Sequence, residues 1–214
     1  MSLGNVSDGV AGVILAGGLA SRMGGGDKSL KSLGKKTILE HVIDRLSPQV
    51  TNIALNANGN PLRFAKFKIP VIQDQTDQFL GPLAGVLSGL DWAYENGFSH
   101  IVTVAADTPF FPPSLVQMLW DTLLNSGSQI ALAATKGKGS KKIIRHPTFG
   151  LWPVNLRSDL KNSLNLGVRK VVLWSETHKH VDVFFKIEAD DPFFNVNTYQ
   201  DLDIAQRRVN VEVK

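Results

Sequence analysis

Val10-Ala11-Gly12-Val13-Ile14-Leu15 runs without a break into Ala16-Gly17-Gly18-Leu19-Ala20-Ser21-Arg22-Met23-Gly24-Gly25-Gly26-Asp27-Lys28, an apolar segment followed by a glycine-rich one. The first six residues are apolar on both faces, which describes a strand buried inside a sheet. The continuation holds five glycines between Gly17 and Lys28, which let the backbone turn its N–H groups toward an anion. Arg22 and Lys28 add cationic donors for phosphate oxygens. In an open parallel sheet, ligands bind beyond the carboxyl ends of the strands, so this loop sits where a phosphate cradle belongs. The same glycines also suit a loop that only accommodates a turn. The run contains neither Gly-x-x-x-x-Gly-Lys-Ser/Thr nor Gly-x-Gly-x-x-Gly, so it is not a Walker loop or a dinucleotide fingerprint.

Outward from this stretch, apolar runs alternate with helical periodicity. Thr37 is placed to cap a helix with apolar positions Ile38, Leu39, Val42, Ile43 and Leu46 that stops before Pro48. Asn52–Asn56 and Ile69–Gln73 read as strands separated by a turn at Asn58-Gly59-Asn60-Pro61 and a weakly helical stretch. Gly81-Pro82 opens a helix to about Asn96, His100–Ala106 is a nearly all-apolar strand, and Pro112-Pro113-Ser114 starts a helix that ends near Gly127. Gln129–Ala134 is a further strand. Beyond it the expectations are an exposed hairpin tip at Lys136–Lys142, strands at His146–Trp152 and Val181–Ile187, and helices at Asn155–Asn165, Val168–His178 and Thr198–Val209. Strands buried on both faces and alternating with helices imply a mostly parallel sheet covered on both sides, a three-layer α/β/α Rossmann-like architecture. With no linker and no internal repeat, one domain over residues 1–214 is expected, with Met1–Gly9 as a flexible N-terminus.

Composition removes several classes of function. The 214 residues are 43% hydrophobic and 20% charged, enough for a substantial core. The absence of cysteine excludes a disulfide framework, a thiolate nucleophile and a cysteine metal site, and fits a reducing cytoplasm. No run approaches the roughly 18–20 apolar residues of a membrane span, and Met1–Gly9 lacks the regions of a secretory signal. The net charge of +4 suits an anionic small substrate, and its basic residues are not interleaved with aromatics as on a nucleic-acid surface.

Other candidates carry two readings each. Asp107, in Asp107-Thr108-Pro109 at the end of the apolar strand, suits a magnesium ligand beside a phosphate loop, and equally suits a turn cap. Gly81-Pro82-Leu83-Ala84-Gly85 offers helix N–H groups to an anion, or only a tightly packed helix start. Asn56 and Asp74 close strands and are otherwise ordinary turn residues. Asn195-Val196-Asn197-Thr198 contains an N-cap for the last helix. His146 reads as structural rather than as a general base, the lysines of 136–142 as a solvated loop, and Asp190-Asp191 as an exposed turn.

The loop as a whole resembles the signature of nucleoside-triphosphate transferases acting on sugar phosphates and related phosphates. Leu15-Ala16-Gly17-Gly18, continuing to Arg22-Met23-Gly24-Gly25 and Asp27-Lys28, is similar to the molybdenum cofactor guanylyltransferases. One extra glycine leaves the register of Gly24, Gly25 and Gly26 open. Gly81–Gly85, His146-Pro147-Thr148 and Asn195–Thr198 add to the likeness, which spans Val13 to about Leu202 and is sparse over 135–190. The resemblance implies transfer of GMP from GTP to the phosphate of molybdenum-bearing molybdopterin, with magnesium. It assigns Leu15, Ala16, Gly17, Gly18, Gly25, Lys28, Asn56, Asp74 and Asp107 to GTP, with Asp74 accepting from guanine N1–H and N2–H. It further gives Lys28, Arg22 and Asp107 the chemistry, Asp107 the metal, and Gly81, Asn195 and Asn197 the acceptor. Transient contact with cofactor-delivery or apo-enzyme proteins is also implied, with no nucleic acid and no membrane. The alternatives are a cytidylyltransferase or sugar-phosphate nucleotidyltransferase on the same scaffold, and a non-catalytic GTP-binding protein. Cytidylyl relatives tend to show Leu-Ala-Ala-Gly, so Gly17 favours guanine.

Overall fold

A computed structural model describes residues 9–17, 27–75, 81–137 and 142–212. The expectation for Met1–Gly9 therefore falls, save Gly9, outside the described residues, as do Gly18, Arg22, Gly24, Gly25, Gly26 and much of the lysine-rich stretch. In chain order the elements are β1 (Val10–Leu15), β2 (Ser32–Leu33), β3 (Lys36–Thr37), α1 (Ile38–Leu46), β4 (Ile53–Asn56), β5 (Val71–Ile72), α2 (Pro82–Glu95), β6 (His100–Ala105), α3 (Leu115–Ser126), β7 (Ile130–Lys136), β8 (Ile143–Pro153), α4 (Arg157–Asn165), α5 (Val171–Ser175), β9 (His180–Phe185) and α6 (Tyr199–Glu212).

Seven strands form one sheet in the order β5-β4-β1-β6-β8-β7-β9. The pairings β4–β5, β1–β4, β1–β6 and β7–β9 are parallel, and β8 is antiparallel to both of its neighbours. The chain therefore builds outward from β1 through β4 to β5, then returns to place β6 on the other side of β1. That reversal leaves a crevice at the carboxyl ends of β1 and β6, where open α/β sheets receive ligands.

Alternation along the strands supplies both faces of the core. Val10 and Ile14 of β1 pack with Leu39, Val42 and Leu46 of α1 and with Leu115 and Leu119 of α3, all nearly fully buried. Val13 faces the other way, onto Leu83, Val86 and Leu90 of α2 and the buried Trp152 and Trp174. Helices thus cover both faces, giving the three layers that strands apolar on both sides demand.

The local signals explain several boundaries. Thr37 caps α1 in a capping box, accepting from the Glu40 N–H while the Glu40 carboxylate accepts from the Thr37 N–H. Pro82 opens α2 behind Gly81, whose backbone at φ 74°, ψ −168° lies in a region reserved almost entirely for glycine. Thr198 and Asp201 form the equivalent reciprocal cap at α6. The structure shortens other expectations. The 69–73 strand pairs only at Val71–Ile72, and the 168–178 helix is confined to Val171–Ser175, because Gly167 adopts φ 88° and Lys170 is extended. The β2–β3 hairpin, two residues on each side, was not expected.

Candidate functional site

β1 and β6 run in register to Leu15 and Ala105, and the Ala106 N–H donates to the Leu15 carbonyl at 3.0 Å. This pairing sets Asp107 just beyond the strand ends, beside Ala16. A small cavity of about 70 Å³ opens there, lined by Leu15, Ala16, Asp27, Lys28, Ala106 and Asp107 among others. A larger cleft of about 950 Å³ lies elsewhere, lined by Arg45, Phe110, Phe184, Asp190 and Arg207 among others, and includes none of the residues expected at the site.

Two distant segments converge on Lys28. Its ammonium donates to Asp107 Oδ2 at 2.6 Å and to Asn197 Oδ1 at 2.7 Å. Lys28 and Asp107 are largely buried, with side-chain exposures of 19% and 23%, so this charge pair is less screened than a surface one. The ammonium has three donors, and two are used among the described residues. Asp107 is also approached from its other side: the single Thr108 hydroxyl proton is shared between Asn195 Oδ1, the nearer acceptor, and Asp107 Oδ1 at 3.1 Å. The backbone closes the ring, with the Val196 N–H donating to the Asp107 carbonyl at 2.9 Å. Asn195 and Asn197 are therefore fixed by the Asp107 turn and by Lys28.

The last helix secures this loop. Asp201 accepts from the N–H groups of Asn197 and Thr198 at 2.9 and 2.8 Å. Burial alone would raise its pKa, but these hydrogen bonds and nearby Lys28 outweigh it and hold the carboxyl below its ordinary range.

A second cluster forms at the ends of β4 and β5. Asn56, almost fully buried, donates from Nδ2 to Asp74 Oδ1 at 2.9 Å. Asn58 donates to Asp74 Oδ2 at 2.8 Å and accepts from the Asp74 N–H at 2.9 Å. Two carboxamides thus orient one carboxylate, and each of its oxygens retains a further lone pair among the described contacts. Asn56 Oδ1 lies against α2: a Cβ on Gly85 would stand 2.3 Å from it. Gly85 is glycine because that carboxamide occupies the space.

Asn58, Thr108 and Asp201 carry much of this geometry; the sequence shows Asn58 and Thr108 only within turns and does not single out Asp201. Arg63, bonded to Asp27, has no local signal at all. Gly81 is brought to neither cluster; a Cβ there would approach the Arg169 carbonyl at 3.6 Å. His146 is tied to Thr135 at 2.9 Å and stacked on Phe193 at 4.2 Å, and burial lowers its pKa against the pull of Asp191. That environment is the structural one expected for it. Among the described residues no group of three or more His, Asp or Glu side chains is placed to hold a metal unaided. No helix among them is long and apolar enough to cross a membrane.

A lysine–carboxylate–carboxamide cluster lies at the strand-order reversal of a mostly parallel sheet, where such sheets receive ligands, and likeness to known proteins puts the chain in the nucleotidyltransferase class. The chain belongs to the MobA-like NTP transferase domain family, whose model matches residues 12–183. It is 44% identical over 206 residues to a molybdenum cofactor guanylyltransferase of Bradyrhizobium sp. (strain ORS 278), covering 95% of this chain and 94% of that one. A protein of the same name from Rhodopseudomonas palustris (strain HaA2) is 46% identical over 197 residues, 91% of this chain and 89% of that one. The solved molybdopterin-guanine dinucleotide biosynthesis protein A from Archaeoglobus fulgidus shares the fold, with a TM-score of 0.71 at 21% identity over 94% of this chain and 99% of that one.

Proposed function

We propose that this chain, as one cytoplasmic nucleotidyltransferase domain, transfers GMP from GTP to the phosphate of molybdenum-bearing molybdopterin. The products are the guanine dinucleotide cofactor and pyrophosphate. The observation that carries the proposal is the meeting of Lys28, Asp107 and Asn197 at the ends of β1 and β6. An acceptor-only carboxylate at the end of β5 accompanies it. Relatives carrying the guanylyltransferase name over nearly the whole chain support the same reading.

In this reaction an oxygen of the acceptor phosphate forms a bond to the α-phosphorus, and the bond from that phosphorus to the β-phosphate oxygen breaks. A phosphate monoester has its second pKa near about 6, so the nucleophile is already ionised and no side chain must remove a proton. The structural setting of His146 agrees with that economy. Lys28, with a donor to spare among the described contacts, neutralises charge on the triphosphate, and Arg22 joins it. Ala16 and Gly17, with Gly18 and Gly25, cradle the phosphates. Asn195, Asn197 and Gly81 take the acceptor side. Catalysis is then positioning and charge stabilisation.

Magnesium fits the donor set: a single carboxylate, Asp107, at the phosphate site is the kind of partial protein ligation that leaves the remaining positions to water and phosphate oxygens. When bound there it supplies charge neutralisation on the triphosphate. At the base end, Asp74 presents two acceptor oxygens. Guanine offers adjacent N1–H and N2–H donors, whereas cytosine and adenine place an acceptor next to their amino group. An acceptor-only edge therefore selects guanine.

The test is thermal unfolding with magnesium and each of GTP, CTP, ATP and UTP. A ligand that binds only the folded chain raises its Tm. GTP is expected to give the largest rise. A clear rise with CTP and none with GTP would overturn the guanylyl assignment in favour of a cytidylyltransferase.

A further inference from the structure

Arg63 lies in the 3₁₀ helix Pro61–Phe67, away from every residue assigned above to substrate. Its guanidinium nevertheless bonds to two separate parts of the site. Nε donates to Asp27 Oδ2 at 2.5 Å, Nη1 to the Asn60 carbonyl at 2.5 Å and Nη2 to the Asn58 carbonyl at 2.6 Å. One face of the guanidinium lies over the Phe64 ring at 4.5 Å, and that ring is fully buried. The side chain is 29% exposed and that of Asp27 is 23% exposed, so the pair is half-sheltered from solvent. A planar fork clamped by three acceptors and stacked on a fixed ring has little freedom left.

What the clamp joins gives it meaning. Asp27 immediately precedes Lys28, the cation that meets Asp107 and Asn197. Asn58 is the residue whose side chain exchanges two hydrogen bonds with Asp74. Arg63 therefore couples the segment carrying the phosphate-side lysine to the turn that orients the base-side carboxylate.

We infer that Arg63 is a positioning residue for nucleotide selection: by holding Asp27 and the Asn58–Asn60 turn in one frame, it fixes the reach from Lys28 to Asp74. This rests on the reading of Asp74 as the guanine acceptor. A surface ion pair with no such role would contribute to stability only, and little. A frame that sets the reach changes how well a ligand engages both ends at once, which is a property of discrimination.

The experiment is titration calorimetry of the full chain with magnesium and either GTP or inosine triphosphate, which lacks the 2-amino group. The proteins are wild type, Arg63→Met, Arg63→Lys, Asp27→Ala and Asp27→Asn combined with Arg63→Met. Methionine keeps an aliphatic stem over Phe64 and removes the fork. Arg63→Met is expected to weaken GTP about tenfold, as for loss of a charge-assisted bond, and to weaken inosine triphosphate less. The ratio of the two Kd values then falls toward one. Arg63→Lys, keeping the charge near Asp27 without the fork, is expected to recover part of that ratio. Asp27→Asn combined with Arg63→Met is expected to add little, because the two act through one link. An Arg63→Met protein with unchanged ratio and only a lower Tm would overturn the inference. If Arg63→Met fails to fold, Asp27→Ala decides: it cuts Arg63 from the lysine-bearing segment while leaving the Asn58 side chain on Asp74, and an unchanged ratio in it overturns the inference equally. A wild-type protein that binds both nucleotides alike would instead sink the guanine reading of Asp74.

Discussion

The two polar clusters at the carboxyl edge of the sheet are built by opposite means. Around Lys28 the partners come from β6 and from the approach to α6, 79 and 169 residues away, and an ammonium meets a carboxylate and a carboxamide. Around Asp74 the partners lie 16 and 18 residues away, and neutral amides hold a single charge. The first arrangement exists only when the whole sheet and the last helix have closed. The second is completed by two neighbouring strands and one turn. An ion cluster whose lysine keeps a donor free among the described contacts suits charge that develops during transfer. A carboxylate pinned from both sides by amides suits recognition of a fixed donor pattern, since its acceptor edge is settled before any base arrives.

That division is open to test, and its severest trial is Asp107→Ala. The variant removes the carboxylate that meets Lys28 and Thr108. Pyrophosphate release with saturating GTP and acceptor is expected to fall by about 10²–10³-fold or more, with circular dichroism showing a retained fold. Near-wild-type turnover would remove Asp107 from the chemistry and, with it, the contrast between the clusters.

Asp74→Asn probes the other side. It puts an amide where an acceptor edge stood, leaving both Asn56 and Asn58 beside a group that is itself part donor. The Kd for GTP is expected to rise by about 10–100-fold, the cost of a hydrogen bond to a charged group, with kcat at saturation changed far less. A fall in kcat with Kd intact would place Asp74 with the transfer cluster and erase the division of labour.

Gly85→Ala tests whether the base-side cluster is as rigid as its amides imply. The added Cβ would stand 2.3 Å from Asn56 Oδ1 and 2.9 Å from Leu15 Cδ2. Overpacking of this kind costs about 1–3 kcal/mol, a Tm loss of several degrees for a chain of this size. Because Asn56 must turn away, GTP affinity is expected to weaken as well. A variant with normal Tm and affinity would mean that Asn56 is free to move.

Much of the first half of the fold was legible because its signals are local. The apolar run of β1, the Thr37 cap of α1, and Pro82 behind Gly81 each name their element from a few adjacent residues. Asp107 was legible for the same reason, as the first charged residue after a buried strand. The β2–β3 hairpin was not, since two residues per strand carry no periodicity. Nor was the short α5, where Val168 and the 171–175 run share helical spacing but Gly167 and Lys170 break the backbone. The pairing of Arg63 with Asp27 bridges 36 residues and depends on where the sheet puts β4, so no spacing rule reaches it. The same holds for Gly85 in α2, whose size is dictated by a side chain from β4.

The smallest expected effect concerns the floor under the transfer cluster. His146 stacks on Phe193, two residues before Asn195, and bonds to Thr135. Burial lowers its pKa below the ordinary imidazole value, so the unfolded chain binds its proton more readily than the folded one. The stability of the neutral form is therefore fully present above about pH 6.5 and is lost as the pH falls from there through the folded value. His100, half-buried and lowered by desolvation in the same way, adds to the trend from the far end of β6. The measurement is Tm against pH for wild type and His146→Gln. The wild type's advantage over the variant is expected to be largest above neutrality and to shrink on acidification. A difference that stays constant with pH would show that His146 does not change its protonation between the folded and unfolded chain. The floor of the Asn195–Asn197 loop would then be as indifferent to acid as the amide-held carboxylate across the sheet.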